Sequence, residues 1–150
     1  MHSLVLTCVK DLVGTIGRWL RRRRIHVEKE VMVSDTGEHR VDIWVRVDGV
    51  VKWCDVTVTD PCNDSVVADA AKSAGAAARN AESKKRSSWK DLADVAGADV
   101  VPLAFETTGF RGEALEKFLR EMEASSAEGP SRHSLLTQLS VTLRSSMWRW

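Results

Sequence analysis

A chain of 150 residues suits a single domain with one core. Hydrophobic residues make up 43 % and charged residues 29 %, a globular balance in which no apolar run approaches the roughly 20 residues of a membrane span, and the first 14 residues lack a basic leader with a small-residue cleavage site. The net charge of +1 excludes a protein carried to nucleic acid by its overall charge, and three cysteines without a CxxC pair exclude a disulfide framework or zinc knuckle within the chain.

In chain order, residues 3–22 read as a helix, with Leu4, Leu6, Val9, Leu12, Val13, Ile16 and Leu20 at three- and four-residue steps. Arg18 and the run Arg21, Arg22, Arg23 and Arg24 close it, where positive charge suits the helix dipole. Residues 25–33 form a β-branched strand, and 34–38 a turn around Asp35-Thr36-Gly37. Residues 40–47 alternate, with Val41, Ile43, Val45 and Val47 on one face and Arg40, Asp42, Trp44 and Arg46 on the other. Asp48-Gly49 makes a two-residue hairpin turn, and 50–59 return before Asp60-Pro61. An alanine-rich helix is predicted over 65–86, a fourth strand over 99–107 and an amphipathic helix over 111–124. A Gly/Pro/Ser linker follows over 125–134, then a helix over 135–148 carrying Leu135, Leu136, Leu139, Leu143 and Met147. The expectation is an α/β fold with a mixed sheet flanked by helices: a core over 1–124, a linker over 125–134 and a C-terminal helix over 135–150. The three thiols, Cys8, Cys54 and Cys62, are expected to be reduced.

The hairpin can be read in register. With Asp48 and Gly49 as the turn, opposed residues have numbers summing to 97, so Trp44 faces Trp53 and Asp42 faces Asp55. Directly opposed side chains lie about 4.5–5.5 Å apart at Cβ, and like charges there are destabilising. Two accounts fit such a pair: surface aspartates tolerated beside Arg40 and Arg46, or a site for a divalent cation, since Mg²⁺ is held by one or two carboxylates plus phosphate and water oxygens. Metal-assisted phosphodiester hydrolysis further needs a cation to stabilise charge, often a lysine. A lysine two residues beyond Asp55 would share its face, but that position is Thr57. Either the site is silent or the lysine comes from another element. Lys85, four residues after Ala81 and seven after Ala78, extends the small-residue stripe of the alanine helix toward the sheet, whereas Lys72 lies off it and Lys84 is turned away. A lysine there can equally lay its stem over the sheet edge with its head in water.

Arg40-Val41-Asp42, twelve residues, then Asp55 resembles the signature of the PD-(D/E)XK endonuclease domain of certain site-specific non-LTR retrotransposons. There the usual form is Arg/Lys-Pro-Asp, a similar spacer, then an acid. The stretch Asp55-Val56-Thr57-Val58 with Pro61, the alanine-rich helix, and Lys85 through Trp89 are similar to that family's acidic strand and following helix with Lys-x-x-Lys-Tyr. Residues 101–109 resemble its fourth strand and glycine, and 139–143 its tail, so the resemblance covers about 2–143. It implies a restriction-endonuclease-like core and Mg²⁺- or Mn²⁺-dependent cleavage of target DNA. Asp42 and Asp55 would be metal ligands, and the lysine would have migrated to the helix, which matches Lys85. Val41 stands in place of the proline, Ser88 of a lysine and Trp89 of a tyrosine, and no reverse transcriptase or Cys/His knuckle precedes, so a fragment or freestanding derivative is expected. The expected partners are DNA, contacted at its phosphates by Arg21, Arg22, Arg23, Arg24, Lys84, Arg86 and Lys90, and a reverse-transcriptase module or a second copy bound through the C-terminal helix, which ends in Met147, Trp148 and Trp150. The expected location is intracellular and nuclear. The competing expectation is a catalytically silent nuclease-like module that binds nucleic acid or protein.

Overall fold

In a computed structural model, which describes residues 2–62, 67–68 and 73–147, the chain order is α1 (His2–Arg22), β1 (His26–Met32), β2 (Arg40–Val47), β3 (Val50–Thr59), α2 (Ala76–Ala96), β4 (Asp99–Glu106), α3 (Glu113–Ser125) and α4 (Arg132–Met147). The sheet runs β1-β2-β3-β4. Its first two pairings are antiparallel and β3–β4 is parallel, reached through α2, so the protein is α/β with a mixed sheet.

The β2–β3 hairpin follows from its turn. Asp48 (φ 51°) and Gly49 (φ 78°) both take positive φ, the combination that matches the right-handed strand twist. Trp44 pairs with Trp53, Val45 with Lys52 and Val47 with Val50, so the numbers sum to 97 as expected.

Two apolar clusters sandwich the sheet. The larger joins α1 (Cys8, Leu12, Ile16, Leu20), the sheet (Ile43, Val45, Cys54, Val56, Leu103, Phe105), α3 (Leu115, Phe118, Leu119, Met122) and α4 (Leu135, Leu139, Leu143). The smaller lies under α2: Val41, Trp53 and Ala93, with Trp44, Trp89, Leu92 and Val100 against them. Cys8 and Cys54 are buried free thiols, and Cys62 is an exposed one.

The alanine helix differs from its expected bounds. It begins at Ala76, behind Gly75, whose φ of 81° and contact with the Phe110 ring suit only glycine: a Cβ there would lie 2.4 Å from that ring. It runs on to Ala96 because Leu92 and Ala93 continue the buried stripe three and four residues past Trp89. The expected helical residues 69–72, Lys72 among them, lie outside the described residues, as do Trp148 and Trp150.

The segment expected as a linker is fastened to the end of α1. Arg23 is 3 % exposed. Its guanidinium donates to the carbonyls of Pro130 (2.7 Å), Glu123 (2.7 Å) and Ser126, and lies over the Trp19 ring. The Trp19 indole N–H also donates to Pro130 (2.9 Å). Beyond it α4 lays Leu135, Leu139 and Leu143 into the main core.

On its outer edge β4 is partly covered. Gly112 N–H donates to the Ala104 carbonyl and Glu106 N–H to the Phe110 carbonyl, each at or below 2.9 Å. These bonds show that even-numbered residues of β4 aim their backbone outward, so Pro102, without an N–H, sits at the stretch of edge left open.

Candidate functional site

The acidic pair lies where β2 and β3 part. Their ladder ends at Ile43 and Cys54. Beyond it the Val56 N–H, which the register would give to the Val41 carbonyl, donates instead to Asp42 Oδ2 at 2.8 Å. On the other flank, β1 and β2 pair on both sides of Glu30 and Asp42 but not at them, and Glu30 takes a left-handed φ of 55°. A single left-handed residue turns the pleat over. Val27, Ile43 and Val45 therefore join the core under α1, while Val33 and Val41, of the same parity, join the cluster under α2. The alternation expected for β2 breaks at this point. Asp42 does not share a common open face with Asp55; it emerges into a cleft with Val9, Lys10, Val13, Gly14, Lys29 and Glu30. Its carboxyl nevertheless stands beside Asp55, within hydrogen-bond reach of it.

Asp55, 9 % exposed, faces α2. Two donors converge on its Oδ2: the Lys85 ammonium at 2.9 Å and the Trp89 indole N–H at 2.9 Å. Trp89 is held edge-on by Trp53, 6.0 Å between ring centroids, and by His39, 5.8 Å. The structure thus brings Asp42, Asp55 and Lys85 together, with Trp89 as a fourth member that the sequence reading had only as a substituted tyrosine. Thr57 is half-buried on β3 beside Ala104 and carries no charge.

Burial pushes the Asp42 carboxyl up to about 7, and a hydrogen bond with Asp55 and the Asp55 charge push in the same direction; the Val56 N–H and the Lys85 ammonium oppose them. Burial and a neighbouring negative charge both disfavour the ionised form, so Asp42 keeps its proton to near neutrality. A divalent cation would remove the same repulsion. The donor set suits a hard cation. Val56 occupies Asp42 Oδ2, and Lys85 and Trp89 occupy Asp55 Oδ2. Among the described residues neither Oδ1 receives a donor other than from the pair itself. No group of three or more His, Cys, Asp or Glu is arranged for a metal among the described residues, so water and phosphate oxygens would complete the shell, as for Mg²⁺.

Two buried carboxylates were missed. Glu82 lies on the α2 stripe that also carries Ala78, Lys85 and Trp89, is 5 % exposed, and has an Oε1 with no hydrogen-bond partner, packed against Gly112. Glu106, 4 % exposed, accepts the Ala78 N–H at 3.1 Å and so caps the first turn of α2. The spacing that singled out Lys85 also includes Glu82, three residues earlier.

The basic residues fare unequally. Arg21 and Arg22 are exposed. Arg23 is a correction: its guanidinium is turned inward onto three carbonyls and is closed to a phosphate. Arg24 is exposed, 3.7 Å from Glu128. Lys84 is exposed, Arg86 pairs with Glu82 at 3.6 Å and Lys90 with Asp94 at 3.4 Å. The arginines precede His26, whose partner Arg46 lies four residues from Asp42, which puts them about 13 Å along the strand from the pair at ~3.3 Å per residue. The sequence matches no protein-family model and no curated protein. No helix among the described residues is long and apolar enough to cross a membrane.

Proposed function

We propose that this protein is a metal-dependent DNA endonuclease with a restriction-endonuclease-like core. The observation that carries the reading is the Lys85 ammonium 2.9 Å from Asp55 Oδ2, beside Asp42: an acidic pair joined by a lysine from the helix, where the strand has only Thr57. Asp42 and Asp55 would hold Mg²⁺ or Mn²⁺. Such an ion, when bound, supplies Lewis-acid activation of water and of the scissile phosphate. Lys85 carries a positive charge to the phosphate oxygen beside the pair, and Trp89 fixes the Asp55 carboxylate that orients it. Exposed Arg21, Arg22, Arg24 and Lys84, with Arg86 and Lys90, would contact backbone phosphates, which set position rather than sequence.

The silent-module reading has its own support: Lys85 and Trp89 already saturate Asp55 Oδ2, and a protonated Asp42 relieves the repulsion with Asp55 without a metal. Plasmid nicking with Mg²⁺, Mn²⁺ or EDTA separates the two. Metal-dependent nicking that is lost in Asp42→Asn and in Lys85→Ala supports the enzyme; DNA binding without nicking under any of these conditions supports the silent module.

A further inference from the structure

We propose that DNA reaches the acidic pair along a trough on the α1 side of the sheet, with Lys10, Arg18 and Lys29 holding consecutive phosphates of one strand. The proposal rests on DNA being the ligand, as in the reading above, and adds the route and the residues that define it.

Asp42 does not open toward α2, where Lys85 and Trp89 close over Asp55. It opens into a cleft of about 310 Å³ lined by Val9, Lys10, Val13, Gly14, Lys29 and Glu30. A second groove of about 310 Å³, between α1 and α4, shares Lys10 and Gly14 with it and adds Thr15, Arg18 and Ser145. The two grooves adjoin across Lys10 and Gly14, which line both, and Asp42 lies in the inner one.

Its floor is made by glycine. Lys10, Gly14 and Arg18 stand four residues apart and so share one face of α1. Gly14 lowers that face between the two cations; a Cβ there would lie 3.4 Å from the Arg18 guanidinium. Gly17 lets the Lys29 stem cross the helix, since a Cβ would lie 3.2 Å from Lys29 Cδ. Glycine inside a helix is unfavourable relative to alanine; here Gly14 and Gly17 let the Arg18 guanidinium and the Lys29 stem lie down against α1, which holds both cations along the groove.

The charge is uncommitted. Among the described residues Lys10, Arg18 and Lys29 form no ion pair, and the only partner of the Arg18 guanidinium is the Thr15 hydroxyl at 3.3 Å. The Arg24, Arg86 and Lys90 charges are each paired. Of the acidic side chains in the trough, Asp11 is turned to α4, where it accepts the Ser146 hydroxyl at 3.1 Å, and Glu30 stands beside Asp42 at the inner end. The span fits the ligand: Lys10 to Arg18 covers about 12 Å at 1.5 Å per helical residue, the axial rise of about three to four phosphates at 3.4 Å each on one strand.

The test is the salt dependence of binding to a short fluorescein-labelled DNA duplex, measured in EDTA between about 50 and 200 mM salt. Lys10→Gln, Arg18→Gln and Lys29→Gln combined in one full-length protein should lower the slope of log affinity against log salt by about two to three, since each phosphate contact contributes ~0.9. Arg120→Gln, exposed on α3 and outside both grooves, should leave it unchanged. A melt confirms that the triple variant folds; if it does not, the three single variants should each lower the slope by about one. An unchanged slope in folded variants, or no salt-dependent binding by the wild type, overturns the track. Nicking is measured separately: a lowered slope without any metal-dependent nicking keeps the track and overturns the nuclease reading, and nicking with an unchanged slope does the reverse.

Discussion

Replacing Asp42 with asparagine should stabilise the protein at alkaline pH and leave it unaltered at acid pH. The carboxyl is raised from the usual 3.8 to about 7, first by burial and then by Asp55. Between those values the folded protein keeps a proton that the unfolded chain has released, so wild-type stability falls as pH rises through this window, and the loss is complete above about pH 8. At ~1.36 kcal/mol per pK unit the whole shift would amount to about 4 kcal/mol. Asp42 lines an open cleft, where water and salt screen the repulsion, and about half of that figure, ~2 kcal/mol, is the working expectation. Asparagine keeps an oxygen for the Val56 N–H and offers Asp55 a donor, so the comparison isolates the charge. Urea unfolding in EDTA at pH 5 and pH 8 should give the variant an advantage that grows between the two, because about two of the roughly three pK units lie in that interval, and that reaches ~2 kcal/mol at pH 8, or about 4–8 °C in a thermal melt. Mn²⁺ should restore the wild type at pH 8 and leave the variant unmoved. Parallel pH curves for the two proteins would refute the reasoning about the pair, and identical responses to Mn²⁺ would refute the shared site.

Lys85→Ala should lower nicking by about 10²–10³, equivalent to ~2.7–4 kcal/mol for one preorganised charge-stabilising donor, while the Mn²⁺ rise in the melt persists; loss of that rise would make Lys85 a structural partner of Asp55 only. Arg23→Ala should cost about 3 kcal/mol or more, because a buried cation bonded to three carbonyls is removed, whereas Arg22→Ala should stay within ~0.5 kcal/mol; equal urea midpoints would contradict the clamp. Gly112→Ala would place a Cβ 2.1 Å from Glu82 Oε1 and should cost about 1–3 kcal/mol, most of it recovered by Glu82→Ala in the same protein; a double-mutant cycle with no coupling would sink that contact.

Local chemistry made much of this arrangement readable from the sequence. Asp48-Gly49 demands positive φ at two successive residues, which sets the turn and with it the pairing of every residue up to Ile43 and Cys54. Lys85 stands at helical spacing from Ala78 and Ala81, so its lean toward β3 follows from the 3.6-residue period. Other features depend on tertiary context. Nothing about Glu30 as a residue type announces a left-handed conformation, yet its φ of 55° swaps the faces of β1 and β2 and moves Asp42 to the α1 side. Four adjacent arginines look alike in sequence; Arg23 alone turns inward because residues 123–130 come back to the end of α1 and present it with carbonyls. The start of α2 was masked by a run of good helix formers, and only the Phe110 ring pressing on Gly75 shows why it begins where it does.

Pro102 has a consequence for how copies of this protein meet. A sheet ending in an open strand invites a neighbour to continue it, and β4 is one of the two edge strands of this sheet. Residues 110–112 cap its far half, and at the remaining stretch the one residue lacking an N–H faces outward. A second molecule approaching that edge finds a gap in the ladder where a donor is needed, so pairing through β4 is interrupted at its first step.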